Sequence, residues 1–497
     1  MSDLRPRIRR LIVPVFDLRE GQDLAAAWEQ AAAQVRAGYG GLILFGGSLP
    51  ELPERLAALK ALGPHGPPLI AADVERGVGQ QVLGARDWPP AMALGASDDP
   101  ALAEAAGYAL GSDARAAGID WIFGPVLDLA DEPRNPIVGA RALGADPERV
   151  AALGAAFVRG IQRAGALACG KHFPGHGGTV DDSHATLPRV TYDRARLEER
   201  DLAPFRAAVA ADVASFMTAH VAYPAFGVEG PATRSRALVS GLLRDAWGFA
   251  GLVVTDALMM AGVQAEGGEA RAACAALEAG CDVLLYPTDP EATVEAVAAW
   301  AAEDPARVAR IDDAVGRLEA ARARLGQAPA PSELAELDVA RAALTVPLAP
   351  LAPLSRGERA RALVLDDDAL PGFAHELLAC LAEAGVELEL ATVQPESDAA
   401  ALARARALDA TLLVVGCRVR AWKGRPGLAE PLQALVRGCP GAQVVGLCGP
   451  GPLAALLPGE ARVLLAYGDE PAQQRAAAAA LLGAPTPGRL PVPWRPA

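Results

Sequence analysis

The chain has 497 residues, of which 52% are hydrophobic and 21% charged, and a formal net charge of -14. That length exceeds one typical core and implies two domains. The acidic balance excludes a general nucleic-acid binder with a basic face, and the hydrophobic content excludes a disordered chain.

A basic start (Arg5, Arg7, Arg9, Arg10) leads into the apolar run LIVPVF at 11–16, too short for the h-region of a secretory signal. Further β-rich runs follow at 41–47, 68–74, 121–129, 167–173, 214–221, 251–257 and 281–287. Between them lie amphipathic segments such as 23–37, 101–117, 147–164, 198–210 and 269–279. Eight strand-like runs alternating with helical patterns predict an α/β chain that begins with a (β/α)8 TIM barrel over 1–326. The span is longer than the roughly 250 residues usual for that fold, which leaves room for loop insertions. Polar residues close run after run: Asp73 and Glu75, Asp128, Lys171 and His172, His220, Asp256. Barrel active sites are built on that carboxyl-terminal rim.

Residues 327–358 are rich in Ala, Pro and Leu and read as a linker, partly extended. The alternation resumes at 360–366, 386–393, 411–417, 442–448 and 461–467, which predicts a smaller, doubly wound α/β/α sandwich domain over 359–497. Its GCPG and CGPGP turns match no phosphate-binding fingerprint and read as strand-to-helix turns. No stretch approaches the roughly 18–20 apolar residues of a membrane span. Seven cysteines without a CxxC pair argue against a disulfide framework or a zinc knuckle and for free thiols in a reducing cytosol. The expectation is a cytoplasmic protein with a small-molecule ligand and neither membrane nor nucleic-acid partner.

The densest chemistry lies in KHFPGHGGTVDDSHATLP, Lys171 to Pro188, which holds three of the six histidines (His172, His176, His184), with His220 a fourth further on. Asp182 and His184 are two apart, so in extended backbone they project to one side and can hydrogen-bond. Such a pair suits general acid/base work, or simply stabilises the loop. Lys171 and His172 end a strand, where one faces the site and the other supports it unless the strand bends. Asp256, at the end of GLVVTD, can be nucleophile, base or metal ligand, or the N-cap of the following ALMMAGV segment. A metal site built from the histidines and Asp256 is the rival chemistry. It is disfavoured because LIVPVF carries no HxH pair.

KHFPGHG followed by DSH resembles the β-N-acetylhexosaminidases of glycoside hydrolase family three. GPVLDLADEPRNPIVGARALGADP, MTAHVAYPAF, PATRSRALVSGLLRDAWGFAGLVVTDALMM and the ending GRLPVPW are similar to that family's two-domain members. The resemblance implies that Asp256 is the nucleophile, His184 the proton donor and acceptor, and Asp182 its partner. It assigns Asp73, Arg141, Lys171 and His172 to the hydroxyls and acetamido group of the sugar, and leaves His176 a loop-shaping role. It implies neither a metal nor an organic cofactor. One departure stands in DVERGVGQQ: Arg76 takes a glycine position, and Val78 and Gln81 fall where the family commonly has arginines. The implied activity is a retaining exo-β-N-acetylglucosaminidase acting on terminal β-linked GlcNAc, from peptidoglycan fragments recycled in the cytosol. The alternatives are a β-N-acetylglucosaminide phosphorylase or a β-glucosidase on the same scaffold, and, more remotely, a non-catalytic glycan-binding protein.

Overall fold

The computed structural model describes residues 3–181, 183, 185–264, 267–327, 329–418 and 427–494. Two compact units divide the chain. The first comprises Met1–Asp87, Ala103–Asp128 and Gly154–Glu333, and the second Trp88–Leu102, Leu129–Leu153 and Leu334–Ala497.

The first unit is a ring of parallel strands. Strand β1 runs as Ile12–Val13 and again as Val15–Leu18, broken at Pro14, which has no N–H for the ladder. It is followed by β2 (Gly41–Gly46), β3 (Leu69–Ala72), β4 (Trp121–Ile122), β5 (Leu167–Phe173), β6 (Ser215–Thr218), β7 (Leu252–Thr255) and β8 (Leu284–Leu285). Each pairs with its neighbour in chain order from β1 to β7. The ring closes because Thr255 N donates to Val283 O at 3.0 Å, while Leu284 N and Tyr286 N each donate, at 2.8 Å, to Leu11 O and Val13 O. This is the (β/α)8 barrel expected.

Local chemistry sets the elements. Asp23 caps helix Leu24–Ala37 by accepting from Ala26 N at 3.1 Å, and Gly38 at φ +89° ends it. Strands β3 and β5 are buried at every residue, as a parallel sheet covered on its outer face and filled inside must be. The interior is filled by Val13, Ile43, Ala71, Phe123, Cys169, Met217, Val254 and Leu285, among others. Leu318 and Ala321 of helix Pro305–Arg322 pack on the same cluster. All pairings being parallel, the strands' carboxyl ends share one rim, and that rim holds the polar residues.

The second unit carries a five-stranded parallel sheet of β9 (Arg359–Asp366), β10 (Glu387–Val393), β11 (Leu412–Gly416), β12 (Gln443–Gly446) and β13 (Arg462–Leu465). Its order is β10-β9-β11-β12-β13, the doubly wound arrangement expected. Alternate residues feed two apolar layers, one holding Leu363, Leu413 and Val444, the other Val364, Val414 and Val445. The stretch expected to be a linker contains helix Glu336–Ala343, with Val339, Ala340 and Ala343 buried.

Candidate active site

Lys171 sits near the end of β5 with a side chain only 2% exposed. A buried ammonium needs partners, and here they include Asp73 Oδ1 at 2.7 Å and Glu75 Oε1 at 2.6 Å, both from the exit of β3. That exit is shaped by glutamines. Gln80 Oε1 accepts from Glu75 N at 2.9 Å and Arg76 N at 3.1 Å, and Gln81 Nε2 donates to Asp73 O at 3.1 Å. Gln81, at a position where the family commonly has arginine, thus holds the backbone of Asp73. Arg76 turns away to Asp87 at 3.3 Å.

One residue on, His172 is also buried and also meets a carboxylate: His172 Nδ1 lies 2.7 Å from Asp128 Oδ2. Alternation along a strand would aim the two side chains oppositely, but the register of β5 against β6 breaks between Gly170 and Phe173. Both side chains therefore serve the rim. Asp128 Oδ1 accepts from His172 N at 3.1 Å and from His176 N at 2.6 Å. Full burial pushes the Asp128 carboxyl up, but the charge of His172 and the hydrogen bonds from His172 and His176 outweigh it and hold the group below the usual carboxylate range.

His176 lies wholly inside the loop that follows. Its Nδ1 is 2.9 Å from Thr179 Oγ1 and its Nε2 3.1 Å from Ser183 Oγ. Burial, helped by the neighbouring His172, pulls the imidazole down to about 4 from an ordinary 6.5. The unfolded chain thus binds this proton near pH 6.5 and the folded chain only near 4. Stability should be complete above about pH 6.5 and fall by about 3 kcal/mol as the pH drops to 4. Denaturant titrations from pH 7 to 4 should show that slope, reduced in His176→Asn; an unchanged slope in the variant would mean that other groups carry it.

Asp256 follows the last residue of β7 and is half-buried. Ala257 N donates to Asp256 Oδ1 at 2.8 Å, and Asp256 N donates to Thr218 O at 3.3 Å, which places the residue beside the end of β6. His220, beyond β6, is buried; Nε2 donates to Ala257 O at 3.2 Å and Nδ1 pairs with Thr233 Oγ1 at 2.8 Å. Burial pulls the His220 imidazole down while the Asp256 charge opposes it, so the ring stays neutral at pH 7. The Asp256 charge also acts on His176 and Cys169, so these groups share one electrostatic environment.

Of the residues read from the sequence, the barrel unit brings together Asp73, Lys171, His172 and Asp256 on the rim. Asp182 and His184 lie outside the described residues. Arg141 belongs to the second unit, where its Nη1 donates to Ile137 O at 3.1 Å. Nothing in the sequence marks a particular role for Glu75, Asp128, Thr179, Ser183 or Thr233; only Glu75 and Asp128 carry a signal, as polar residues closing apolar runs. Among the described residues, no group of three or more His, Cys, Asp or Glu is arranged to hold a metal ion, and no helix is long and apolar enough to cross a membrane.

A closed parallel ring whose strand ends gather carboxylates, a buried lysine and histidines is the architecture of a barrel enzyme. Residues 9–321 match the family model Glycosyl hydrolase family 3 N terminal domain. The chain belongs to glycosyl hydrolase family 3 and is a glycoside hydrolase. It is 41% identical over 289 residues to a Beta-hexosaminidase of Thiobacillus denitrificans, a match covering 55% of this chain and 79% of that protein. With a Beta-hexosaminidase of Chromobacterium violaceum it shares 42% identity over 274 residues, 53% of this chain and 75% of the other. Its fold is similar to that of a glycoside hydrolase family 3 beta-N-acetylglucosaminidase from Paenibacillus sp. str. FPU-7, with a TM-score of 0.86 at 30% identity over 100% of this chain and 99% of that one.

Proposed function

We propose that the protein is a retaining exo-β-N-acetylglucosaminidase. The reading is carried by Asp256, a half-buried carboxylate following the last residue of β7, on the same rim as the Lys171–Asp73–Glu75 cluster. The names of the curated relatives support the choice of sugar. Asp256 attacks the anomeric carbon as the bond to the leaving oxygen breaks, and His184, as imidazolium with Asp182 as partner, supplies that oxygen's proton. A glycosyl–aspartate ester forms. Neutral His184 then takes a proton from water, whose oxygen displaces Asp256 and releases the sugar with net retention. The carboxylates of the rim oppose the positive charge that builds up in the oxocarbenium-like transition state. Asp73, Lys171 and His172 hold the sugar's hydroxyls and acetamido group.

The natural substrate in this reading is a terminal β-linked GlcNAc on peptidoglycan fragments in the cytosol. That all seven cysteines are free thiols supports a reducing compartment. A pair of aryl glycosides differing only at the 2-position tests the sugar: the acetamido compound should exceed the hydroxyl compound in kcat/KM by about 100-fold or more. Equal values would overturn the hexosaminidase reading. Assays with and without phosphate, with detection of sugar 1-phosphate, separate hydrolysis from phosphorolysis; the expected product is free GlcNAc in both buffers.

A further inference from the structure

Ser183 stands in the sequence between Asp182 and His184, and it is buried. Its carbonyl accepts from Gly262 N at 3.2 Å, and its hydroxyl lies 3.1 Å from His176 Nε2. Gly262 belongs to helix Ala261–Gln264, the turn that follows Asp256. A Cβ on Gly262 would lie 2.8 Å from both Ser183 O and Thr186 O, and 3.2 Å from His220 O. Only a residue without a side chain lets these three carbonyls converge there. The other end of the connection is as fixed. Thr179 Oγ1 donates its single proton to His176 O at 3.1 Å, so His176 Nδ1 carries the ring proton and Nε2 accepts from the Ser183 hydroxyl. His176 N is in turn held by Asp128 Oδ1 at 2.6 Å. The base of the same loop is fixed by the buried Tyr223, whose hydroxyl donates to Gly175 O at 2.8 Å.

We propose that Ser183 is a positioning residue: it ties the loop bearing the acid/base to the turn bearing the nucleophile, through Gly262 on one side and His176 on the other. The proposal rests on Asp256 and His184 having the roles given above. Ser183 has no chemistry of its own in it. Its carbonyl sets how far the loop stands from the Asp256 turn, and its hydroxyl locks that distance to the Asp128-anchored histidine. A retaining glycosidase depends on the separation of its two catalytic groups, and Ser183 is the residue of this loop that is bonded to the turn after Asp256.

A merely structural serine would lower stability, or all activities alike. A serine that places the acid must act selectively. With a poor leaving group, as in a GlcNAc disaccharide, bond cleavage needs the proton; with a dinitrophenyl leaving group it does not. Ser183→Ala should therefore lower kcat/KM on the disaccharide by about 10- to 100-fold and on the dinitrophenyl glycoside by about 3-fold or less. Ser183→Thr, which keeps the hydroxyl, should restore most of the disaccharide activity. Gly262→Ala, which crowds the same carbonyl from the other side, should reproduce the selective loss in a chain whose Ser183 is intact. Equal losses on both substrates, for both Ser183→Ala and Gly262→Ala, would overturn the proposal. His184→Ala is the control: a leaving-group dependence there but not in the two variants sinks the anchor alone, and its absence there sinks the acid/base assignment together with the anchor.

Discussion

Replacing Asp256 by asparagine should lower kcat on an aryl N-acetylglucosaminide by about 10^4-fold or more, with the fold and melting temperature retained. The Asp256 carboxylate accepts from Ala257 N at 2.8 Å, and an asparagine Oδ1 can accept that bond unchanged. In the proposed mechanism the lost charge is the one that bonds to the anomeric carbon. Two further readouts separate a nucleophile from a residue that merely shapes the site. A 5-fluoro N-acetylglucosaminyl fluoride, which slows release of the covalent intermediate and keeps the 2-acetamido group, should label the wild-type protein on the peptide containing Asp256 and leave the variant unlabelled. In Asp256→Ala, azide can enter the vacated space and attack from the nucleophile's face, giving the α-glycosyl azide. A label on another residue would overturn the assignment, as would a variant with more than a few per cent of wild-type activity. The leaving-group contrast with His184 sharpens it further. Loss of the nucleophile blocks every substrate, whereas loss of the acid spares those whose leaving group needs no proton.

How much of this was readable beforehand differs between fold and site. Each of the eight β-rich runs contains a barrel strand, because a covered parallel sheet demands continuous apolar runs. The run at 121–129 is the instructive case: strand β4 covers only Trp121–Ile122, since Pro125 has no N–H to donate and pairing resumes as a single bridge between Val126 and Lys171. Residues 88–102 and 129–153 carry no compositional sign that they fold with the C-terminal unit; that is a property of contacts, not of composition. In the site, charge was the legible quantity. Asp73, Glu75, Asp128, Lys171, His172 and Asp256 each close an apolar run, and a strand end is where a charge can escape the core. Ser183, Thr179 and Gly262 were silent because their importance comes from what stands opposite them. Gly262 matters only because the carbonyls of Ser183, Thr186 and His220 meet where its side chain would be.

The largest expected effect on stability falls at a residue that touches no reacting atom. Asp128 has a fully buried carboxylate that accepts from two backbone N–H groups and from the His172 ring. Asp128→Ala removes the acceptor and leaves all three donors buried without it. Three buried donors left without their acceptor cost about 3–5 kcal/mol together. Asp128→Asn keeps one oxygen, so it can still take the backbone donors but presents an amide N–H₂ to His172; about 1–3 kcal/mol is expected, a group left unsatisfied rather than a charge unpaired. The ordering of Ala below Asn below wild type in denaturant midpoint is the test, and near-equal midpoints would mean that water takes the place of the carboxylate. Because the Asp128 carboxyl is held below the usual range, its contribution is present above the unfolded value near 4 and disappears as the pH falls through the lower folded value, so the gap between wild type and Asn should close at strongly acid pH. Activity should fall in Asp128→Asn even where the protein remains folded. Asp128 fixes His172 at the end of β5 and the backbone of His176 at the head of the loop that follows, so in the proposed mechanism a shift there affects both sugar binding and the acid/base step. That coupling would appear as a rise in KM together with a loss in kcat, whereas a variant damaged only in stability would recover wild-type constants on cooling.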